Sequence, residues 1–103
     1  MRILKTDVFA AWLDRLRDLQ GRARIQARIE RLAAGNPGDV RVVAAGVSEM
    51  RVDTGPGYRV YFTRRGRELV ILLAGGDKST QARDIHFACR MVRHLSDSMR
   101  SEP

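Results

Sequence analysis

A chain of 103 residues has room for one domain around one hydrophobic core. With 44% apolar and 30% charged residues it has the balance of a folded globular protein, not a disordered one. Cys89 is the single cysteine, so an internal disulfide is excluded, and no Cys/His spacing marks a metal site; neither a metal nor a cofactor is expected.

Nineteen Lys and Arg against twelve Asp and Glu leave a net charge of +7. Such a surplus suits an anionic partner, either nucleic acid or an acidic protein, although charge also simply keeps a protein dispersed. The N-terminus turns charged too early for a signal peptide. The longest apolar run, Leu69 to Ala74, is too short to cross a bilayer, so the expectation is a cytoplasmic protein without membrane contact.

Arg2 to Lys5 reads as a short strand. Thr6 or Asp7 then offers a helix N-cap, and Phe9, Trp12, Leu13, Leu16 and Leu19 recur at helical spacing. Gly21 is read as an interruption before a second helix, which carries Ile25, Ile29 and Leu32 on one side and Arg22, Arg24, Arg28 and Arg31 on the others. Gly35-Asn36-Pro37-Gly38-Asp39 stops it, giving a helical hairpin over 7–34. Asp39 to Gly46 is ambiguous and reads as a loop with possible extended stretches.

Beyond it the period changes to two. Val47 to Asp53 alternates, with Met50 and Val52 on one face and Glu49, Arg51 and Asp53 on the other. After a turn at Thr54-Gly55-Pro56-Gly57, Tyr58 to Thr63 places Val60 and Phe62 inward and Arg59, Tyr61 and Thr63 outward. Arg65-Gly66 suits a hairpin turn, and Glu68 to Ala74, nearly all apolar, reads as a strand covered on both faces. Gly75-Gly76 is taken as its terminator. Ser79 or Thr80 caps a last helix whose buried stripe is Ile85, Ala88, Cys89, Val92 and Leu95.

The chain therefore reads as an α+β domain of order β-α-α-β-β-β-α. A helical hairpin and a C-terminal helix pack on a mainly antiparallel four-stranded sheet, with the domain over 1–96 and a flexible tail over 97–103.

No nucleophile elbow, phosphate loop or HExxH motif is present. The informative feature is cationic: Arg51, Arg59, Arg64, Arg65 and Arg67 on the strands and turns, with Lys78 just past the last strand. Arg51 and Arg59 share the face opposite Met50 and Val60. Guanidinium groups bind phosphate bidentately and stabilise the charge that builds in phosphoryl transfer, and Tyr61 on the same face could stack on a base. A solvated sheet face with Arg–Glu cross-strand pairs accounts for the same pattern. His86 is a candidate general acid or base, or an ordinary surface histidine. Cys89 reads as core.

The stretches Ser48 to Asp53, Gly55 to Phe62, Arg64 to Leu73 and Gly75 to Gln81 resemble the addiction module killer proteins, on the HigB-like side of the RelE/ParE superfamily. The resemblance covers essentially the whole domain and implies the RelE-like fold. It implies a toxin of a type II toxin–antitoxin system, commonly a ribonuclease that cuts mRNA, often on the ribosome, while the ParE branch poisons DNA gyrase. The partner it implies is a cognate antitoxin, usually a small helix-turn-helix protein from an adjacent gene. In that chemistry the substrate's 2′-hydroxyl attacks the adjacent phosphate without a metal.

Arg59 matches the family's strand arginine, Arg51 that of the preceding strand, and Lys78 the basic residue past the last strand. Some relatives carry a C-terminal tyrosine or histidine for proton transfer; here the segment is Gln81 to His86, so His86 or Glu49 takes that place, or charge stabilisation dominates. Arg51, Arg59, Tyr61, Arg64, Arg65, Arg67 and Lys78 are the expected RNA contacts. Two other readings stand beside this one: a ParE-like toxin that inhibits DNA gyrase by binding, and a non-catalytic basic module.

Overall fold

The computed structural model describes residues 1–100, with side chains through Leu95. Five strands form one sheet in the order β1-β5-β4-β3-β2, where β1 is Arg2–Lys5, β2 Val40–Ala44, β3 Val47–Val52, β4 Tyr58–Arg65 and β5 Leu69–Asp77. The helices are α1 (Asp7–Arg15), α2 (Leu19–Ala33) and α3 (Gln81–Arg100). Only β1 runs parallel to its neighbour, β5; the other three pairings are antiparallel.

The α+β class and the mainly antiparallel sheet agree with the sequence reading, but the sheet has five strands, not four. The addition is β2, in the segment read as a loop. Its exposure follows no clean alternation, a bulge shifts its register between Val42 and Ala44, and Val42 is 76% exposed. An edge strand of this kind gives little period-two signal.

The helical hairpin forms as expected, with a different break. Thr6 caps α1 by accepting from the Phe9 amide at 3.0 Å. Asp18 caps α2 by accepting from the Gly21 amide at 3.0 Å, so the chain breaks at Leu16 to Asp18 and Gly21 lies inside the first turn of α2. Leu19 consequently points to solvent. A Cβ on Gly21 would stand 2.5 Å from the Tyr58 ring, so this glycine permits close packing and does not interrupt the helix.

Both faces of the sheet are covered. Phe9 and Leu13 of α1 and Ile25 and Leu32 of α2 pack on Met50, Val52, Tyr58, Val60, Phe62, Val70 and Leu72. On the opposite face Ile85, Ala88, Cys89, Val92 and Leu95 of α3 cover Val47, Tyr61, Ile71 and Leu73, the stripe the spacing predicts. Each fully buried large apolar side chain contributes about 1.5–3 kcal/mol.

The double cover explains the unbroken apolar run of β5, which lies between β1 and β4. That strand does not stop at Gly75-Gly76 but runs through both to Asp77. A Cβ on Gly75 would lie 2.2 Å from the Trp12 ring and one on Gly76 1.9 Å from Asp84 Oδ2, so the pair makes room for α1 on one face and α3 on the other.

Beyond β5 the cap is Asp77, not Ser79 or Thr80. It closes a capping box with Thr80 around a short 3-10 turn, Lys78–Thr80, that leads into α3. The α3 backbone runs to Arg100, and the remainder of the expected tail, 101–103, lies outside the described residues. Among the described residues no helix is long and apolar enough to cross a membrane.

Candidate active site

Arg51 and Arg59 are direct cross-strand partners in the β3–β4 register, and Arg59 pairs in turn with Gly76 of β5. They lie on the face opposite Met50 and Val60, as the alternation predicts, near the end of the sheet where α3 begins. A cleft of about 220 Å³ opens there, lined by both arginines with Asp39, Val52, Asp53, Gly57 and Tyr58.

The turn joining β3 to β4 forms one wall. Gly55 and Gly57 take positive φ, and the Gly57 amide donates to the Thr54 carbonyl at 3.0 Å. Lys78, exposed at the end of β5, stands beside that turn, its Cβ 3.7 Å from where a Gly57 Cβ would be. Lys78 does not line the cleft but stands behind this wall, so Arg51, Arg59 and Lys78 lie at the same end of the sheet.

Each arginine has its own carboxylate. Arg51, half-exposed, donates from Nε to Asp39 Oδ2 at 3.1 Å and from Nη2 to Oδ1 at 3.4 Å. Arg59 donates from Nη1 to Glu49 Oε1 at 3.4 Å. Its side chain is only 10% exposed, which corrects its expected outward, solvated placement: the face is right, but α3 covers most of it.

The same cover removes two other candidates. Tyr61 is 0% exposed beneath α3 and cannot stack on a base as expected. Burial, reinforced by the Glu49 carboxylate, raises its phenol pKa well above the usual tyrosine range. The hydroxyl itself makes no hydrogen bond of good geometry. Glu49 is 0% exposed and is not among the residues lining the cleft, so it is not placed to exchange a proton with a substrate there.

His86 is exposed on α3 and is not among the residues lining the cleft. Arg64, Arg65 and Arg67 lie at the β4–β5 hairpin, the far end of the strands. Arg64 lies five positions beyond Arg59, about 17 Å at strand rise, so the predicted basic set divides into two groups.

The cleft floor is anchored from behind. Tyr58 Oη donates to Asp18 Oδ2 at 2.8 Å, and Trp12 meets the Tyr58 ring edge-on at 6.3 Å. Burial and then Asp18 push the Tyr58 phenol up to about 12, while the Gly21 amide and then Tyr58 hold the Asp18 carboxyl below its ordinary value. Arg28 of α2 donates to the Arg51 carbonyl at 2.7 Å and the Pro37 carbonyl at 3.1 Å.

Sequence reasoning also missed Asp39, Arg41 and Gln81. Asp39 was absorbed into the helix stop, and Arg41 becomes visible only once β2 is recognised, because it pairs with Glu49. Gln81 carries no signal apart from its position in the segment after Lys78.

With this geometry in view, the comparison with known proteins is decisive at family level. Residues 11–92 match the family described as "Phage derived protein Gp49-like (DUF891)". The chain belongs to the Gp49-like family. This is a family of addiction-module toxins, and membership points to an antitoxin as partner. An uncharacterized protein of Haemophilus influenzae is 47% identical over 95 residues, covering 92% of this chain and 96% of that protein. The family match takes in α2, the whole β2–β5 sheet and most of α3, and therefore the entire cleft of this Gp49-like protein.

Proposed function

We propose that this Gp49-like protein is a RelE-type, HigB-like toxin that cleaves mRNA, with the Arg51–Arg59 cleft and nearby Lys78 as its phosphate site. The observation that carries the reading is the opposed arginine pair on the cleft floor. Like charges placed directly across a ladder are unfavourable on their own; Asp39 and Glu49 each take one of them, and a phosphate entering the cleft would meet both guanidinium groups.

In this reading the substrate's 2′-oxygen attacks the adjacent phosphorus. The O2′–P bond forms as the 2′-hydroxyl gives its proton to solvent water, the P–O5′ bond breaks as the leaving oxygen takes a proton from water, and the products are a 2′,3′-cyclic phosphate and a 5′-hydroxyl. Arg51 and Arg59 neutralise the equatorial oxygens as their charge grows, and Lys78 contributes a mobile cation from behind the wall. The chemistry draws on the nucleotide's own nucleophile and calls for no metal or cofactor. Ribosome-bound mRNA is the proposed substrate, the cytoplasm the proposed location, and a helix-turn-helix protein from an adjacent gene the proposed antitoxin.

The test is induced expression with and without the neighbouring gene, followed by mapping of mRNA 5′ ends. The reading expects new 5′-hydroxyl ends that vanish when the antitoxin is co-expressed. Growth arrest with intact mRNA and stalled DNA supercoiling would replace it with the gyrase reading. Growth unaffected by the chain alone would leave a non-catalytic basic module.

A further inference from the structure

Glu49 is a carboxylate at 0% exposure on β3, between β2 and β4. Its Oε1 accepts from Arg41 Nε at 3.1 Å and from Arg59 Nη1 at 3.4 Å, and its Oε2 accepts from Gln81 Nε2 at 2.9 Å. Both oxygens are occupied, by donors from β2, β4 and α3. Charge this deeply buried is a poor source of stability, because apolar residues of similar volume often serve a core as well or better. A role in orienting one of its three partners accounts for its place there.

The group it orients is in the cleft. Arg59 gives Glu49 its Nη1, while its Nε is buried and has no partner among the described residues. A guanidinium held at Nη1 keeps its side edge, Nε with Nη2, for a second bidentate contact, and that edge matches two oxygens of a phosphate. A buried donor without an acceptor is unfavourable in the free protein; because Nε is closed to solvent there, an anion in the cleft takes it up as the exposed part of the Arg59 side chain shifts to meet it.

We infer that Glu49 is a positioning residue: it clamps Arg59 by one nitrogen so that the side edge of the guanidinium is reserved for a phosphodiester. Gln81 and Arg41 hold Glu49 in turn, which links the start of α3 and the β2 edge to the cleft. The inference rests on the proposed phosphate site, and it removes Glu49 from the candidates for proton transfer.

The experiment compares wild type with Glu49→Gln and with Gln81→Ala, a milder variant that keeps the buried acid and its charge. One readout is independent of activity: the Arg59 Nε–H resonance, by NMR on 15N-labelled protein titrated with inorganic phosphate. The expected wild-type result is a single Nε–H signal that shifts on titration. It should broaden or lose its response in Glu49→Gln and weaken in part in Gln81→Ala.

The second readout is single-turnover RNA cleavage against pH. Misorientation of this kind costs about 10²-fold, so Glu49→Gln should cleave roughly that much more slowly with the shape of its pH profile retained. Loss of a limb of that profile would make Glu49 a proton carrier and overturn the inference. A folded Glu49→Gln protein with a wild-type Nε–H response would overturn it as well. If wild type cleaves no RNA yet the Nε–H response shows the pattern above, the nuclease reading fails and the positioning role stands. If Glu49→Gln does not fold, Gln81→Ala decides: an unchanged Nε–H response there overturns the inference.

Discussion

Arg51 and Arg59 face each other directly across β3 and β4, and each is steadied by a different acid, Arg51 by Asp39 and Arg59 by Glu49. The two acids are not equivalent. Asp39 is exposed and its ion pair is shared with solvent, whereas Glu49 is sealed under α3. Arg51 is therefore the arginine to remove without disturbing the fold, and Arg59 the one whose loss reaches the core.

Arg59→Ala is predicted to destabilise the protein as well as disarm it. The change leaves Glu49 with two donors in place of three, Arg41 and Gln81, and a void beneath α3. A loss of about 1–3 kcal/mol is expected. Urea denaturation should show it, and Arg51→Ala should move the midpoint little, since an exposed pair contributes about 0–1 kcal/mol. Equal midpoints for the two variants would contradict the burial difference.

The paired glycines of β5 give a steric prediction. Gly75→Ala drives a methyl into the Trp12 ring and Gly76→Ala drives one into Asp84. Overpacking of this kind costs about 1–3 kcal/mol, so both variants should unfold at lower urea. Ala at either position with full stability would mean that the close approach of Trp12 or Asp84 does not depend on the glycine.

Stability should also respond to alkali through Tyr58. Its folded pKa is raised to about 12 from an ordinary 10.0, so folding favours the protonated phenol. Its contribution is complete below pH 10 and declines as pH rises toward 12. Tyr61 shifts in the same direction, so Tyr58→Phe should reduce the alkaline loss without abolishing it. At the acid end Asp18 and Asp77 are lowered from 3.8, so what they contribute is present above that value and is lost as pH falls through their folded pKa values. Unfolding midpoints measured from about pH 3 to about pH 12 check both limbs.

Arg28→Met should loosen the cleft from behind. Its two bonds tie α2 to the Arg51 and Pro37 carbonyls. Bonds from a charged donor contribute about 1.5–3 kcal/mol each at most, so the variant should lose stability and bind RNA more weakly. Arg24→Met, on the exposed part of the same helix, should do neither; matched behaviour of the two would mean that the Arg28 bonds do not hold the cleft.

Much of this architecture was legible in the chain. Period two fixed the face shared by Arg51 and Arg59, and period 3.6 found the α3 stripe. What could not be read was cover. Nothing in Tyr58-Arg59-Val60-Tyr61 says that α3 lies over the polar-looking face, so Arg59 and Tyr61 read as exposed and Glu49 as available. β2 escaped because an edge strand with a bulge shows no alternation. Gly75 and Gly76 misled because the same residue that ends strands also admits close neighbours, and only Trp12 and Asp84, distant in sequence, distinguish the two.

If the arginine cleft stabilises a phosphate during RNA cleavage, removing its exposed arginine must slow the chemistry. The deciding experiment is single-turnover cleavage of a defined mRNA, free and in programmed ribosomes, by purified wild type, Arg51→Ala and His86→Gln. Wild type should produce 2′,3′-cyclic phosphate and 5′-hydroxyl ends, and on free RNA any cleavage should survive a chelator. Arg51→Ala should be slower by about 10²–10³-fold at nearly unchanged stability, and His86→Gln should match wild type. Cleavage by Arg51→Ala at the wild-type rate would contradict the phosphate-site assignment, as would an mRNA left intact by the wild-type chain in both settings.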